Sequence, residues 1–228
     1  MRLDYFLAHT TSWSRKDAKR FIAKGKIRVN GEVVTKPNTP VTEECNVESH
    51  GETIQWRKEK YFALYKPANY VSALEDSESP VVIDLIDPEE RKNLKIVGRL
   101  DKDTTGLIFL TTDGQWLHRI TSPKHDCFKT YRVECADVIE ESECRALESG
   151  VMLNGEEHPT SPAKVVKLSD KEILLSIKEG KYHQVKRMLA SVGNKVEKLH
   201  RESISDVNLD GLEEGQYRML TEEEINQF

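Results

Sequence analysis

From Tyr61 onward the chain sets short β-rich runs (YFALY, LIFLTT, TYRVEC, AKVVKL, EILLSI) among helical patterns (PVVIDLI, QWLHRI, EESECRALES, QVKRMLASVG) in no regular alternation. A doubly wound parallel sheet needs strand and helix to take turns, because each parallel pairing requires a crossover. The irregular order therefore predicts an α+β fold, a mainly antiparallel mixed sheet flanked by helices and loops. In the last helical run Val185, Met188, Leu189 and Val192 make an apolar stripe, the pattern of core packing. Hydrophobic residues are 37% of the 228, which allows a packed core and argues against global disorder.

The first forty residues read differently. Leu3, Phe6 and Leu7 have helical spacing. Ser14 is placed to cap a second helix, RKDAKRFIAKGK, with apolar positions Ala18, Phe21 and Ile22 and a stop at Gly25. IRVNGEVV follows, an Asn-Gly pair between β-branched residues, which is a strong signal for a tight hairpin. Pro37 and Pro40 end the unit. The spacing thus predicts a small module over residues 1–58, linker included, and a larger domain over 59–228. The linker falls at about 43–59, although Asn46 to Trp56 can add strands to the first module.

Charge follows the same division. Residues 1–42 carry nine Lys or Arg against three Asp or Glu, a local balance of +6 in a chain of net charge −5, so the remainder carries −11. A basic module on an acidic body points to an anionic partner for the module. Lys16, Arg20 and Lys24 recur every four residues as one cationic stripe, which suits RNA phosphates and equally suits a solvated helix face. No apolar run approaches the roughly 18–20 residues of a membrane span, and the N-terminus lacks the apolar core of a signal peptide. A cytoplasmic location is expected. The four cysteines show no C-x-x-C spacing and the seven histidines no H-E-x-x-H, so neither disulfides nor a metal is expected.

Four stretches of the larger domain look like more than scaffold. YKPANYV offers a Lys-Pro turn after a strand. GRLDKDTTGLIFLTTDG sets Asp101 between Arg99 and Lys102, just before an apolar strand. Cationic neighbours favour an ionised carboxylate, as a nucleophile, a base or a structural ion pair requires. FKTYRVE puts Lys129 and Tyr131 on one side of a strand by period-2 alternation. IKEGKYHQVKRM runs from strand through turn to helix start and clusters Lys181, His183, Gln184, Lys186 and Arg187. A glycosidase-like carboxylate pair is the other chemistry to weigh. Asp103 is only two residues from Asp101, however, and nothing specifies the ~5–10 Å separation such enzymes need. There is no G-x-S-x-G and no Walker-type phosphate loop. From the residues alone, this is a nucleic-acid-binding enzyme with an Asp-centred site.

These stretches, in this order, resemble the RsuA/RluA-type pseudouridine synthases. GRLD matches the family's aspartate motif, Lys66–Pro67 its Lys-Pro motif, Lys129–Tyr131 its K-x-Y motif, and EGKYHQVKRM its last motif. The N-terminal residues resemble an S4-type (αL) RNA-binding domain. LHRESI and YRMLTEEEI extend the likeness to the branch acting on small-subunit RNA. The resemblance implies isomerisation of one uridine of 16S ribosomal RNA, customarily numbered 516, to pseudouridine, without cofactor or metal. It implies that Asp101 acts on the sugar, by addition or by proton abstraction, that Lys186 pairs with Asp101, and that Tyr131 stacks on the base. Ile177 would pack against the uracil. Arg99 and Lys102 would hold phosphates or fill the space left by the extruded base, and Lys129, Lys16, Arg20 and Lys24 would contact RNA. His183 and Gln184 would order the loop. The implied partner of this monomer is 16S RNA, free or in an assembling small subunit. Two alternatives stand beside this reading: the same chemistry on large-subunit RNA, and a non-catalytic RNA-binding assembly factor.

Overall fold

The computed structural model describes residues 1–11, 13–56, 59–122 and 127–228. The chain divides into two units, Met1–Glu59 and Lys60–Phe228.

In the first unit α1 (Leu3–Thr10) and α2 (Arg15–Ala23) precede four short strands, β1 (Ile27–Val29), β2 (Glu32–Val34), β3 (Val47–Ser49) and β4 (Glu52–Ile54). The Ser14 hydroxyl accepts the Asp17 N–H at 3.1 Å and so starts α2, as the sequence predicts. Asn30 and Gly31 both have positive φ, the conformation an Asn-Gly hairpin requires, and Ile27 pairs with Val34 across it. The sheet runs in the order β2-β1-β3-β4. Its third and fourth strands occupy much of the stretch read as linker. Leu3, Phe6, Leu7, Ala18, Ile22 and Ile27 form the core, and Lys16, Arg20 and Lys24 stand exposed along α2 and its end.

The second unit is built on one nine-stranded sheet. In chain order its elements are β5 (Tyr61–Lys66), a 3-10 turn (Val82–Leu85), β6 (Lys95–Val97), β7 (Thr105–Thr111), α3 (Gly114–Thr121), β8 (Lys129–Cys135), α4 (Glu141–Ser149), β9 (Lys164–Ser169), β10 (Glu172–Ile177), α5 (Gln184–Ser191), β11 (Val196–Ile204), β12 (Val207–Asn208), β13 (Tyr217–Met219) and α6 (Glu222–Ile225). The main path is β13-β5-β7-β11-β8-β10-β9, with β6 on β7 and β12 on β11. Every pairing is antiparallel except β11 with β7. The α+β expectation therefore holds, with one correction: PVVIDLI forms a single 3-10 turn, and its Val82 and Ile83 are buried. The central strands are buried on both faces. Phe62, Leu64, Ile108 and Leu110 join one apolar cluster, while Ala63, Leu107 and Phe109 join the other with Trp116. That explains why β5 and β7 read as nearly continuous apolar runs.

Candidate active site

Asp101 lies in the loop between β6 and β7, and the Lys-Pro stretch holds that loop in place. Lys66, at the end of β5, has no exposed surface. Its ammonium donates to the carbonyls of Thr104 at 2.6 Å, Pro67 at 3.0 Å and Lys102 at 3.3 Å. Burial pulls its pKa down to about 8, Arg201's charge acts in the same direction, and Asp103 and Asp101 oppose it. Ser72 Oγ donates to the Leu100 carbonyl at 2.7 Å and accepts the Leu100 N–H at 3.0 Å. The Asn69 N–H reaches the Lys102 carbonyl at 2.8 Å. A carboxylate that must meet a substrate in one geometry needs such fixed backbone.

Asp101 sits between two cationic or ionisable groups. Lys186 Nζ is 3.1 Å from its Oδ2, and His183 Nε2 is 3.3 Å from its Oδ1. Lys186 is held more closely by Asp103, at 2.7 and 2.9 Å. One ammonium thus serves two carboxylates. Burial alone would lower the pKa of Lys186, but its bonds to Asp103 and Asp101 raise it. The hydrogen bond from Lys186 holds the Asp103 carboxyl below its ordinary range. His183 takes a left-handed conformation, φ 46°, at the N-cap of α5, and its ring stacks on the exposed Tyr182 at 3.8 Å. It therefore touches Asp101 directly, a closer place than the loop-ordering role read from the sequence. Gln184 does order the loop: its side-chain carbonyl accepts the Lys181 N–H and its amide donates to Glu179.

Around Asp101 opens a cleft of about 570 Å³. Arg99, Lys102, Lys129, Tyr131, Ile177 and Lys186 all line it, so the structure gathers every site residue expected of the larger domain. Arg99 and Lys102 are exposed at its edge. Tyr131 and Ile177 are buried in its wall. Lys129 was expected to contact RNA, and its ammonium is instead turned to the protein's own backbone. Its ammonium donates to the carbonyls of Cys127 at 2.9 Å, Ile120 at 3.1 Å and Lys178 at 3.4 Å, which engages all three of its N–H groups. It ties β8 to the chain around it, and burial lowers its pKa. Lys16, Arg20 and Lys24 belong to the first unit.

Leu199 and Arg201 of β11 also line the cleft and have no role in the sequence reading. Arg201 is buried, and its Nε donates to the Leu107 carbonyl at 2.7 Å and its Nη1 to Tyr131 Oη at 3.3 Å. Gly106 makes room for it. A Cβ at Gly106 would lie 2.3 Å from the Arg201 carbonyl oxygen, and φ there is +111°. The signal available was the quoted LHRESI itself, in which an arginine holds a position a strand would give to an apolar side chain.

The cleft can therefore offer a carboxyl group with a cation at hand, an aromatic ring in the same wall, and exposed cations at its edge. Residues 60–191 match the family model described as RNA pseudouridylate synthase, and residues 1–45 match the S4 domain. Ribosomal small subunit pseudouridine synthase A of Vibrio vulnificus (strain CMCP6) is 47% identical over 229 residues, covering 99% of this chain and 98% of that one. The protein of the same name from Escherichia coli (strain K12) is 43% identical over 227 residues, with 99% and 98% covered. A crystal structure of a pseudouridylate synthase superposes with a TM-score of 0.73 at 45% identity, covering 99% of this chain and 98% of the other.

Proposed function

The chain belongs to the RNA pseudouridylate synthase family, and we propose that it converts one uridine of 16S ribosomal RNA, position 516, to pseudouridine with Asp101 as the group that acts on the sugar. The observation that carries this is the setting of Asp101: a carboxylate in a 570 Å³ cleft, bracketed by Lys186 and His183, with Tyr131 in the same wall. The choice of small-subunit RNA is supported by the near full-length likeness to proteins named for that substrate. Asp101 either bonds to C1′ or removes the proton on C2′, with Lys186 as its cationic neighbour. Tyr131 stacks on the uracil and Ile177 packs against it. Arg99 and Lys102 hold the RNA, whose target base must leave its stack at a cost of a few kcal/mol. Residues 1–58 add RNA affinity through Lys16, Arg20 and Lys24. The enzyme works as a cytoplasmic monomer.

Mapping pseudouridine in both ribosomal RNAs, in cells with and without the gene, tests the substrate. Loss of one site in 16S RNA, restored by the purified protein, is the expected result. Loss confined to large-subunit RNA would move the substrate, and no loss in either would favour a binding factor.

A further inference from the structure

Among the described residues two buried side-chain polar atoms have no hydrogen-bond partner, Thr104 Oγ1 and Arg201 Nη2, and both residues line the same cleft. Arg201 is only 3% exposed, and its two bonds go to the neutral Leu107 carbonyl and Tyr131 hydroxyl. No carboxylate pairs with it among the described residues. A guanidinium stays protonated in a protein, so the wall of the cleft holds a fixed buried charge with a spare N–H. Leaving such a group unpaired is costly. Lys66 and Lys129 place two more ammonium groups within electrostatic reach, and each feels Arg201's charge. Of the nearby carboxylates, Asp101, which lines the cleft, shares Lys186 with Asp103, and Glu179, also in the lining, accepts from Ser161 and Gln184. Arg201 and Lys129 thus place positive charge on this wall with no carboxylate bonded to either among the described residues.

The reaction proposed above, on which this inference rests, makes an anion. If Asp101 bonds to C1′, the C1′–N1 bond breaks and its electron pair leaves with the uracil. If Asp101 takes the C2′ proton, C1′ and C2′ become doubly bonded and the same pair leaves with the ring. Either way the ring turns while it carries the charge over N1 and its carbonyl oxygens. C5 then bonds to C1′, releasing the carboxylate in the first route or returning the proton to C2′ in the second. C5 loses its proton and N1 gains one.

We propose that Arg201 is a catalytic residue that stabilises the detached uracil anion, with Thr104 Oγ1 as a further polar partner for the ring. The intact ring is neutral, so the gain is greater after the bond breaks, which is what accelerates a step. The test uses Arg201→Gln, which removes the charge, and Arg201→Lys, which keeps it. Single-turnover loss of the C1′–N1 bond is followed at saturating RNA carrying uridine or 5-fluorouridine at the target, with thermal unfolding to confirm that each variant folds. Fluorine stabilises the detached ring anion, so the fluorinated RNA depends less on Arg201. On uridine, Arg201→Gln is expected to slow cleavage about 100-fold, with the deficit roughly tenfold smaller on 5-fluorouridine. Arg201→Lys should fall between Gln and wild type, with RNA affinity kept in both variants. If only the lysine variant folds, its deficit must shrink in the same direction. Equal deficits on the two rings, or a loss confined to RNA affinity, would overturn the proposal. Wild-type protein inactive on both RNAs would fault the functional reading instead.

Discussion

Lys186 has two carboxylates to serve and one ammonium to serve them with. It lies nearer Asp103, yet Asp103 is far the more exposed of the pair, 73% against 25% for Asp101. Screening by water weakens the exposed contact. Replacing Lys186 with Met leaves Asp101 and Asp103 facing each other without their shared cation. Turnover should fall about 100-fold or more, while Lys186→Arg should retain most of it, as measured by single-turnover kinetics. Lys66 gives a pH-dependent expectation. Its pKa is about 8 in the fold against 10.5 ordinarily. Between these values the unfolded chain binds more protons at this position, so stability rises with pH. Relative to Lys66→Met, wild type should gain on the order of 3 kcal/mol from pH 8 to 10.5 in urea unfolding. A flat difference would mean that Lys66 is not held in low dielectric. Asp101, Tyr131 and Lys186 could be singled out from sequence because each sits in a motif of unusual residue types. The sharing of Lys186 could not, because a contact between residues 103 and 186 is a product of the fold.

β11 supplies Leu199 and Arg201 to the cleft and is the longest strand that the sequence concealed. VEKLHRESI has no clean apolar alternation, because its buried positions include Arg201 beside Leu199 and Ile204. Period-2 reading finds strands whose buried face is apolar, so the strands around YFALY, LIFLTT, TYRVEC and EILLSI were legible and this one was not. Its parallel approach to β7 pairs Arg201 with Gly106. Gly106→Ala would drive a methyl group into the Arg201 backbone at 2.3–2.8 Å. We expect a loss of roughly 2–4 kcal/mol of stability in denaturant unfolding, together with reduced turnover, since β7 and β11 must part to relieve it. A variant as stable and active as wild type would show that the two strands tolerate separation there.

At the scale of the molecule, the change from a basic N-terminal segment to an acidic remainder was visible in residue counts, and the α+β character of the larger unit in the order of its runs. In the first unit the IRVNGEVV hairpin was legible, whereas β3 and β4, three residues each, showed only as strands that Asn46 to Trp56 can add. The stripe on α2 gives a whole-molecule expectation. Changing Lys16, Arg20 and Lys24 together to Ala should weaken RNA binding and lower its salt slope by about 2–3, leaving the single-turnover rate at saturating RNA unchanged. An unaltered slope would make the stripe a solvated helix face. The central claim is that Asp101 acts on the ribose, and turnover with Asp101→Asn beside Asp103→Asn tests it most directly. Pseudouridine formation on 16S RNA, free and partly assembled, should be abolished by Asp101→Asn with RNA binding retained, and should fall by no more than about tenfold with Asp103→Asn. If Asp101→Asn turns over as fast as wild type, the carboxylate is a structural ion pair and the mechanism argued from it is wrong.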